Sequence, residues 1–133
     1  MLHWLYTIFV FLHGLVHMVY VAFARGWMTP ETGEDWTGKS WLMSGWLDEQ
    51  GVRNVGTVLI VVVMLLFIIT AIGLGLRQGW SLNWLAASAI LSSLALIAVW
   101  DGQLKALTEK GLIGVLINIA LLIGLYVFRY PAF

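Results

Sequence analysis

The chain has 133 residues, of which 61% are hydrophobic and 11% charged, and its mean hydropathy is +0.92. Soluble domains carry about 25% charged residues, so this chain has too little polar surface to face water on all sides. It contains no cysteine, which excludes disulfides and thiolate metal sites. The net charge is zero and there is no basic tract, so we expect no nucleic-acid partner.

Four apolar stretches predict four membrane-spanning helices. Each is close to the ~20 residues that a helix needs to cross hydrocarbon about 30 Å thick, and a helix satisfies its own backbone hydrogen bonds in lipid. The first stretch has no Lys or Arg before it and contains histidines, so we expect a span and not a signal peptide. We therefore predict an all-α, four-transmembrane-helix bundle, built as one integral membrane domain over residues 1–133. The predicted helices cover about 2–24, 55–76, 82–100 and 112–128.

The connection between the first two helices is long and rich in tryptophan. It runs from Arg25 to Asn54 and holds four of the eight tryptophans. Within it, residues 40–48 have the pattern of a short amphipathic helix, which we expect to lie in the membrane interface with its rings at headgroup depth. The alternative is an irregular loop that the tryptophans anchor.

Four spans would place both termini on one side of the membrane, together with the turn at 77–80. The opposite side, here called the acidic side, carries the connections 25–54 and 101–110, with all seven acids and five of the seven Lys and Arg residues. The positive-inside rule counts only Lys and Arg and places the acidic side in the cytoplasm, whereas its net charge points the other way. The orientation stays open.

The first helix carries two histidines one turn apart, His13 and His17, and Tyr6 and Tyr20 fall on the same stripe. Ionisable residues in membrane spans are costly and usually face a bundle interior or a cavity. The pair could be neutral and hydrogen-bonded to neighbouring helices, or could form a face that binds a ligand or handles a proton. The spacing also permits two imidazoles on one metal ion, provided that another helix supplies a third ligand.

Counting from the helix ends places three polar side chains at one depth. His17, Ser93 and Asn118 each lie seven residues from their boundary on the acidic side, which is about 10 Å at a rise of 1.5 Å per residue. We predict a polar pocket that opens to the acidic side; a dry hydrogen-bonded layer would give the same pattern. Tyr20 would lie near the rim, and Tyr6 and His13 toward the floor. The predicted ligand-binding residues are His13, His17, Tyr6, Tyr20, Ser93, Asn118 and Asp101.

Small residues on the third and fourth helices favour close packing. Ser88 with Ser92, and Ala89 with Ser93, are pairs of small residues four positions apart. Such pairs let helix backbones approach each other in lipid. The sequence leaves open whether the packing partner lies within the chain or in a second copy of it.

Haem and nucleotide sites can also be weighed from the residues. A bis-histidine haem needs two histidines that face each other from different helices. His13 and His17 lie on the same helix, so a haem would need another type of ligand or a histidine from a second subunit.

Gly33–Ser40 matches the P-loop expression G-x-x-x-x-G-K-[ST]. No strand precedes it and the connection is too short for a nucleotide-binding domain, so we expect no nucleotide there.

A family resemblance rests on three short motifs: His13-Gly14-Leu15-Val16-His17 in the first helix, Trp100-Asp101-Gly102 closing the third, and Gly111-Leu112-Ile113-Gly114 opening the fourth. With these, the chain resembles a group of small prokaryotic four-helix membrane proteins with a histidine-bearing first helix. The resemblance covers most of the chain and implies the four-helix topology. The overall plan is also similar to that of the DoxX-like quinone-linked membrane subunits, but the helix-one pattern of that family is missing, so its function is not carried over.

Three functional hypotheses follow from the sequence. The leading one is a non-enzymatic membrane subunit or binding module, which holds an amphipathic ligand such as a quinone or a lipid and works alone or in a larger membrane complex. The alternative is a small transporter or channel assembled as a homo-oligomer, although no Asp, Glu, Lys or Arg lies within the predicted spans. The third is a metal-dependent membrane enzyme that uses His13 and His17.

Overall fold

The protein is all-helical in the ranges that the computed structural model describes, which are residues 1–27, 40–100 and 112–131. Four helices follow one another in chain order, and these ranges contain no strand. The helices are α1 (Leu2–Ala24), α2 (Glu49–Gly75), α3 (Trp80–Val99) and α4 (Leu112–Tyr126). The predicted all-α class is confirmed.

Three of these helices are long and apolar enough to cross a membrane. α1, α2 and α3 contain 23, 27 and 20 residues, and 20 residues of helix span about 30 Å. α4 has 15 residues, which corresponds to about 22 Å. In the apolar windows of the three long helices only 33–39% of the residues are buried inside the protein, which leaves broad apolar surfaces for lipid. The fold is therefore that of a helical membrane protein with three candidate spans.

α2 begins at Glu49, well before the apolar stretch that the sequence predicts from Val55. The side chain of Asp48 caps it by accepting a hydrogen bond of 2.7 Å from the N–H of Gly51. Glu49 and Arg53 then form an ion pair one turn apart, with 3.4 Å between nitrogen and oxygen. The cap and the ion pair stabilise helix where the hydropathy is low, so the helix extends beyond its lipid-compatible part.

α2 ends in a Schellman motif that turns the chain directly into α3. Arg77 adopts a left-handed conformation with φ of 54°. The N–H of Gln78 donates to the carbonyl of Gly73 at 2.8 Å, and the N–H of Arg77 donates to that of Leu74 at 3.0 Å. A Cβ on Gly73 would lie 2.6 Å from the ring of Trp80. Glycine at this position therefore lets the start of α3 pack closely against the end of α2.

The segment from Ser40 to Leu47 packs on the C-terminal end of α3. The Trp41 N–H donates to the Trp100 carbonyl at 2.9 Å, and the Trp41 indole donates to the Ile97 carbonyl at 2.6 Å. The Ser40 hydroxyl donates to the carbonyl of Ala98. Carbonyls in the last turn of a helix lack partners within the helix, so this segment caps α3. Residues 41–46 form turns, and the predicted short amphipathic helix is not confirmed.

Close approach of α1 and α2 occurs at Gly14. A Cβ on Gly14 would lie 2.7 Å from the Cβ of Phe67, a fully buried residue of the apolar core. The small-residue face of α3 is also buried, since Ser88, Ala89 and Ser92 have no exposed surface. Its packing partner therefore lies within the chain.

Candidate functional site

The candidate site is a layer of buried and partly buried polar side chains between α1, α3 and α4, here called the histidine layer. α1 contributes His13 and His17, which lie on the same face of the helix because they are four positions apart. His13 is 5% exposed and His17 is fully buried, with 5.3 Å between their ring centroids. The ring of Phe67 on α2 lies against both, at 4.9 and 5.4 Å. The histidine layer consists of His13, His17, Ser92, Ser93 and Asn118.

A chain of hydrogen bonds leads from His13 through α4 to α3. The Nε2 atom of His13 lies 2.8 Å from Oδ1 of Asn118. The amide nitrogen of Asn118 donates to Oγ of Ser93 at 3.2 Å. Ser93 donates in turn to the backbone carbonyl of Ala89 at 2.9 Å. Three helices are thus joined by side chains that lipid could not solvate.

The end of this chain fixes the direction of its hydrogen bonds. The carbonyl of Ala89 can only accept, so the Ser93 hydroxyl uses its hydrogen there and accepts from the amide of Asn118. Oδ1 of Asn118 therefore faces His13 and accepts the hydrogen of Nε2. Reversing the amide would leave the contact between Ser93 and Ala89 without a hydrogen. With the amide in this orientation, His13 carries its hydrogen on Nε2.

His17 has the opposite tautomer. Its Nδ1 atom lies 3.0 Å from the carbonyl of His13 and 3.1 Å from that of Gly14, so it must donate. Its Nε2 atom lies 2.7 Å from Oγ of Ser92 on α3. Among the residues that the structure describes, no carboxylate is paired with either imidazole. A buried, unpaired charge is costly in lipid, so His17 is neutral and its Nε2 accepts from Ser92.

A second, separate buried pair lies one turn along α3 and joins that helix to α2. The hydroxyls of Thr70 and Ser88 are 3.2 Å apart, and Thr70 also donates to the carbonyl of Leu66 at 2.7 Å. Both side chains are fully buried. Hydrogen bonds between side chains therefore reach all four helices.

The tyrosines of the predicted pocket lie in two different places. The ring of Tyr20 contacts that of His17 at 5.9 Å, and its hydroxyl lies against the backbone of Gly114, where a Cβ would approach it to 2.9 Å. Tyr6 lies apart from the histidine layer and packs edge-to-face on Tyr130 at 5.2 Å. The structure thus brings Tyr20 to His17, whereas Tyr6 lies with Tyr130.

The count of residues from the helix ends predicted only some of the side-chain contacts in the layer. It placed Asn118 level with His17, whereas Asn118 bonds to His13. The hydrogen-bond partner of His17 is Ser92, which the sequence offered only as a packing residue. Asp101 lies outside the described residues, as does Gly33–Lys39 of the P-loop pattern. Ser40, the last residue of that pattern, contributes to the cap on α3.

The geometry of the histidine layer does not converge on a metal ion. Nδ1 of His17 is bonded to backbone carbonyls, while the two Nε2 atoms point to α4 and to α3. Two imidazoles on one ion must aim their lone pairs at one point. Within residues 1–27, 40–100 and 112–131, no group of three or more His, Asp or Glu side chains could hold a metal.

Fold and site together define a class, namely a helical membrane protein with a neutral, hydrogen-bonded histidine layer in its core. Comparison with known proteins found no match to a family model, a curated protein or a solved structure. The resemblances drawn from the sequence therefore stay predictions. The functional argument depends on the geometry of the layer.

Proposed function

We propose that this chain is a non-enzymatic membrane subunit or binding module, which holds the polar head of an amphipathic ligand, such as a quinone or a lipid, at the histidine layer. The observation that carries the proposal is the pairing of His13 with Asn118 and of His17 with Ser92 at nearly complete burial. Functional polar groups in a membrane protein usually lie in such inward positions.

The chemistry of the layer favours a neutral, amphipathic ligand. Its side chains offer hydrogen bonds without charge, and an oxygen-bearing head group can exchange for Asn118 or Ser92 as a partner. The surrounding side chains are apolar, as in most sites for small organic ligands. The ring of Tyr20 lies beside His17, and its hydroxyl lies against Gly114 in the first turn of α4. A tail would lie against the apolar surface that the helices present to lipid.

The proposed topology has four spans, with α4 as the fourth, and both termini on one side of the membrane. In it the segment 40–47 lies at the membrane interface on the acidic side. Trp41 and Trp46 in this segment are 57% and 75% exposed, and exposed tryptophan is typical of the membrane interface. The orientation of the chain stays open.

A second candidate function is purely architectural, and one observation favours it. The hydrogen bonds of the histidine layer are closed within the chain, so the layer can act as a cross-link that fixes the packing of α1, α3 and α4. The chain would then serve a larger membrane complex through its outer surface and would carry no ligand.

One experiment tests the proposal and separates the two candidates. Wild type is compared with a variant that carries His13→Leu and His17→Leu, after extraction in mild detergent, by native mass spectrometry and circular dichroism. His3→Leu is the matched control, because it removes the histidine of α1 outside the layer. We expect wild type and control to retain a lipid or quinone mass that the double variant loses. Equal retention by the double variant would contradict the proposal, and retention by none of the three would favour the architectural candidate.

A further inference from the structure

One end of the bundle is formed by the start of α1, the turn between α2 and α3, and the residues that follow α4. A Cβ on Gly75 would lie 3.5 Å from the ring of Trp4, so the end of α2 lies beside the start of α1. The ring of Tyr130, beyond the end of α4, contacts that of Tyr6 on α1 at 5.2 Å. This part of the structure is here called the turn end, and it consists of residues 2–6, 76–80 and 126–131.

The charged side chains of the turn end are Arg77 and Arg129, and its three ranges contain no acidic residue. Both arginines are exposed. The ion pair found within the described residues joins Arg53 to Glu49, so neither guanidinium of the turn end is neutralised by a carboxylate there. Two cations therefore lie at this end without a counter-ion from the described part of the chain.

Both arginines occupy backbone positions that suit glycine better. They follow the ends of α2 and α4 with φ of 54° and 56°, and this left-handed conformation costs energy for any residue with a Cβ. Glycine is the usual residue at such a helix end. The helix dipole favours a cation near a C-terminus, but its partial charge compensates only part of the guanidinium charge. The remaining charge is available to an anion outside the chain.

The position of Arg77 along α2 suits a contact with lipid head groups. Arg77 directly follows the apolar stretch of α2, which begins near Val55 and is long enough to cross about 30 Å of hydrocarbon. Trp80 and Trp84 come next in the chain, with their rings 5.6 Å apart, and are 43% and 40% exposed. Exposed indoles are typical of the membrane interface. A bilayer centred on the apolar stretch therefore brings Arg77 to its head groups.

The opposite end of the bundle has the reverse charge. α2 begins there with Asp48 as its cap and Glu49 in its first turn, and Glu49 pairs with Arg53 at 3.4 Å. All seven acids of the chain lie in the connections 25–54 and 101–110, together with five Lys and Arg residues. An anion is therefore favoured at the turn end over the opposite end.

We propose that the turn end binds the head groups of anionic phospholipids, with Arg77 and Arg129 as the phosphate-binding residues. A guanidinium group presents five donors in a planar fork that fits phosphate, and it is more weakly hydrated than an ammonium group. Cations next to a membrane span are attracted to a leaflet that contains anionic lipid. This surface is separate from the histidine layer, so the proposal does not depend on the proposed function.

Lipid counting after reconstitution tests the proposal. Wild type is reconstituted in vesicles of equal parts phosphatidylglycerol and phosphatidylcholine and extracted in mild detergent, and its bound lipids are counted by native mass spectrometry. We expect phosphatidylglycerol to be enriched by about fivefold for each arginine that binds a head group. Equal binding of the two lipids by wild type would overturn the proposal.

Two double variants locate the binding. Arg77→Gln with Arg129→Gln should abolish the enrichment. Arg25→Gln with Arg53→Gln is the matched control, because it removes two cations at the opposite end, and it should keep the enrichment. Since glycine suits the left-handed backbone, Arg77→Gly with Arg129→Gly takes the place of a glutamine variant that does not fold. Unchanged enrichment in a folded variant without both arginines would contradict the proposal.

Two further measurements separate this surface from other sites. A folded variant with His13→Leu and His17→Leu should keep the enrichment. Its loss there would assign the lipid to the histidine layer and defeat the proposal. Inorganic phosphate added at constant ionic strength should leave phosphatidylglycerol bound. Displacement of the lipid by phosphate would indicate a site for free anions and overturn the assignment to lipid.

Discussion

The Nε2 atom of His13 lies 2.8 Å from the side-chain oxygen of Asn118, which joins α1 to α4 across 105 positions of the chain. α4 buries few residues of its own, namely Gly114, Asn118 and Leu121. α4 packs mainly on α3, and the bond from His13 ties it to α1 as well. Its strength can be measured directly.

Replacing Asn118 by Leu removes the carbonyl while keeping a similar volume. We expect a double-mutant cycle with His13→Leu to give a coupling of about 0.5–2 kcal/mol, the range of interhelical hydrogen bonds in membranes. Reversible unfolding in bicelles supplies the four free energies of unfolding. Asn83→Leu is the matched control, because Asn83 is exposed on α3. Strictly additive effects of the two substitutions would show that the bond contributes nothing.

Two adjacent serines on α3 should affect different histidines. Ser92 lies 2.7 Å from Nε2 of His17, whereas Ser93 accepts from Asn118. We expect Ser92→Ala to shift the nitrogen-15 signal of His17 and to cost about 1 kcal/mol. Ser93→Ala should leave that signal in place and shift the signal of His13 instead. The reverse assignment would refute the arrangement of the layer.

The contact of α1 with α2 should tolerate no side chain at Gly14. A Cβ there would lie 2.7 Å from the Cβ of Phe67, which cannot move without its backbone. We expect Gly14→Ala to destabilise the bundle by about 1–3 kcal/mol, as overpacking does in a dense interior. In Gly124→Ala, the control on α4, the new Cβ would lie 3.9 Å from the nearest atom. It should be neutral or stabilising by up to about 1 kcal/mol through helix propensity. Equal losses in both variants would count against this close contact.

The cap on α3 should depend on one indole and not on its neighbour. The Trp41 ring donates to the Ile97 carbonyl at 2.6 Å, whereas the Trp46 ring donates to Leu42 within its own segment. We expect Trp41→Phe to speed hydrogen exchange at the amides of residues 97–100, because the last turn of α3 loses a partner. Trp46→Phe should leave that exchange unchanged. Identical exchange in wild type and Trp41→Phe would contradict the capping role.

Local patterns in the sequence predicted the helical elements well. The apolar runs located the three long helices and α4, and the spacing of His13 and His17 predicted a shared face. These features depend on period and composition alone. The early start of α2 was not predicted, because hydropathy marks the lipid-compatible part of a helix, whereas the cap at Asp48 decides where the helix begins.

The partners within the site could be predicted only in part. Ser93 and Asn118 were expected near the histidines, and both belong to the layer. The pairing of Asn118 with His13 was missed, because counting from helix ends assumes parallel axes and level ends. An error of one turn, about 5.4 Å, changes the partner. Ser92 was missed because the sequence cannot fix the rotation of α3, on which its choice over Ser93 depends.

The central claim is that the imidazoles turn inward and pair with other helices. Solid-state NMR of the protein in lipid bilayers, with nitrogen-15 histidine and carbon-13 asparagine, measures it through the dipolar coupling between the two labels. We expect a contact between a histidine Nε2 and an asparagine side chain that fits the 2.8 Å bond, and its loss in His13→Leu. A wild-type spectrum without any such coupling would contradict the account.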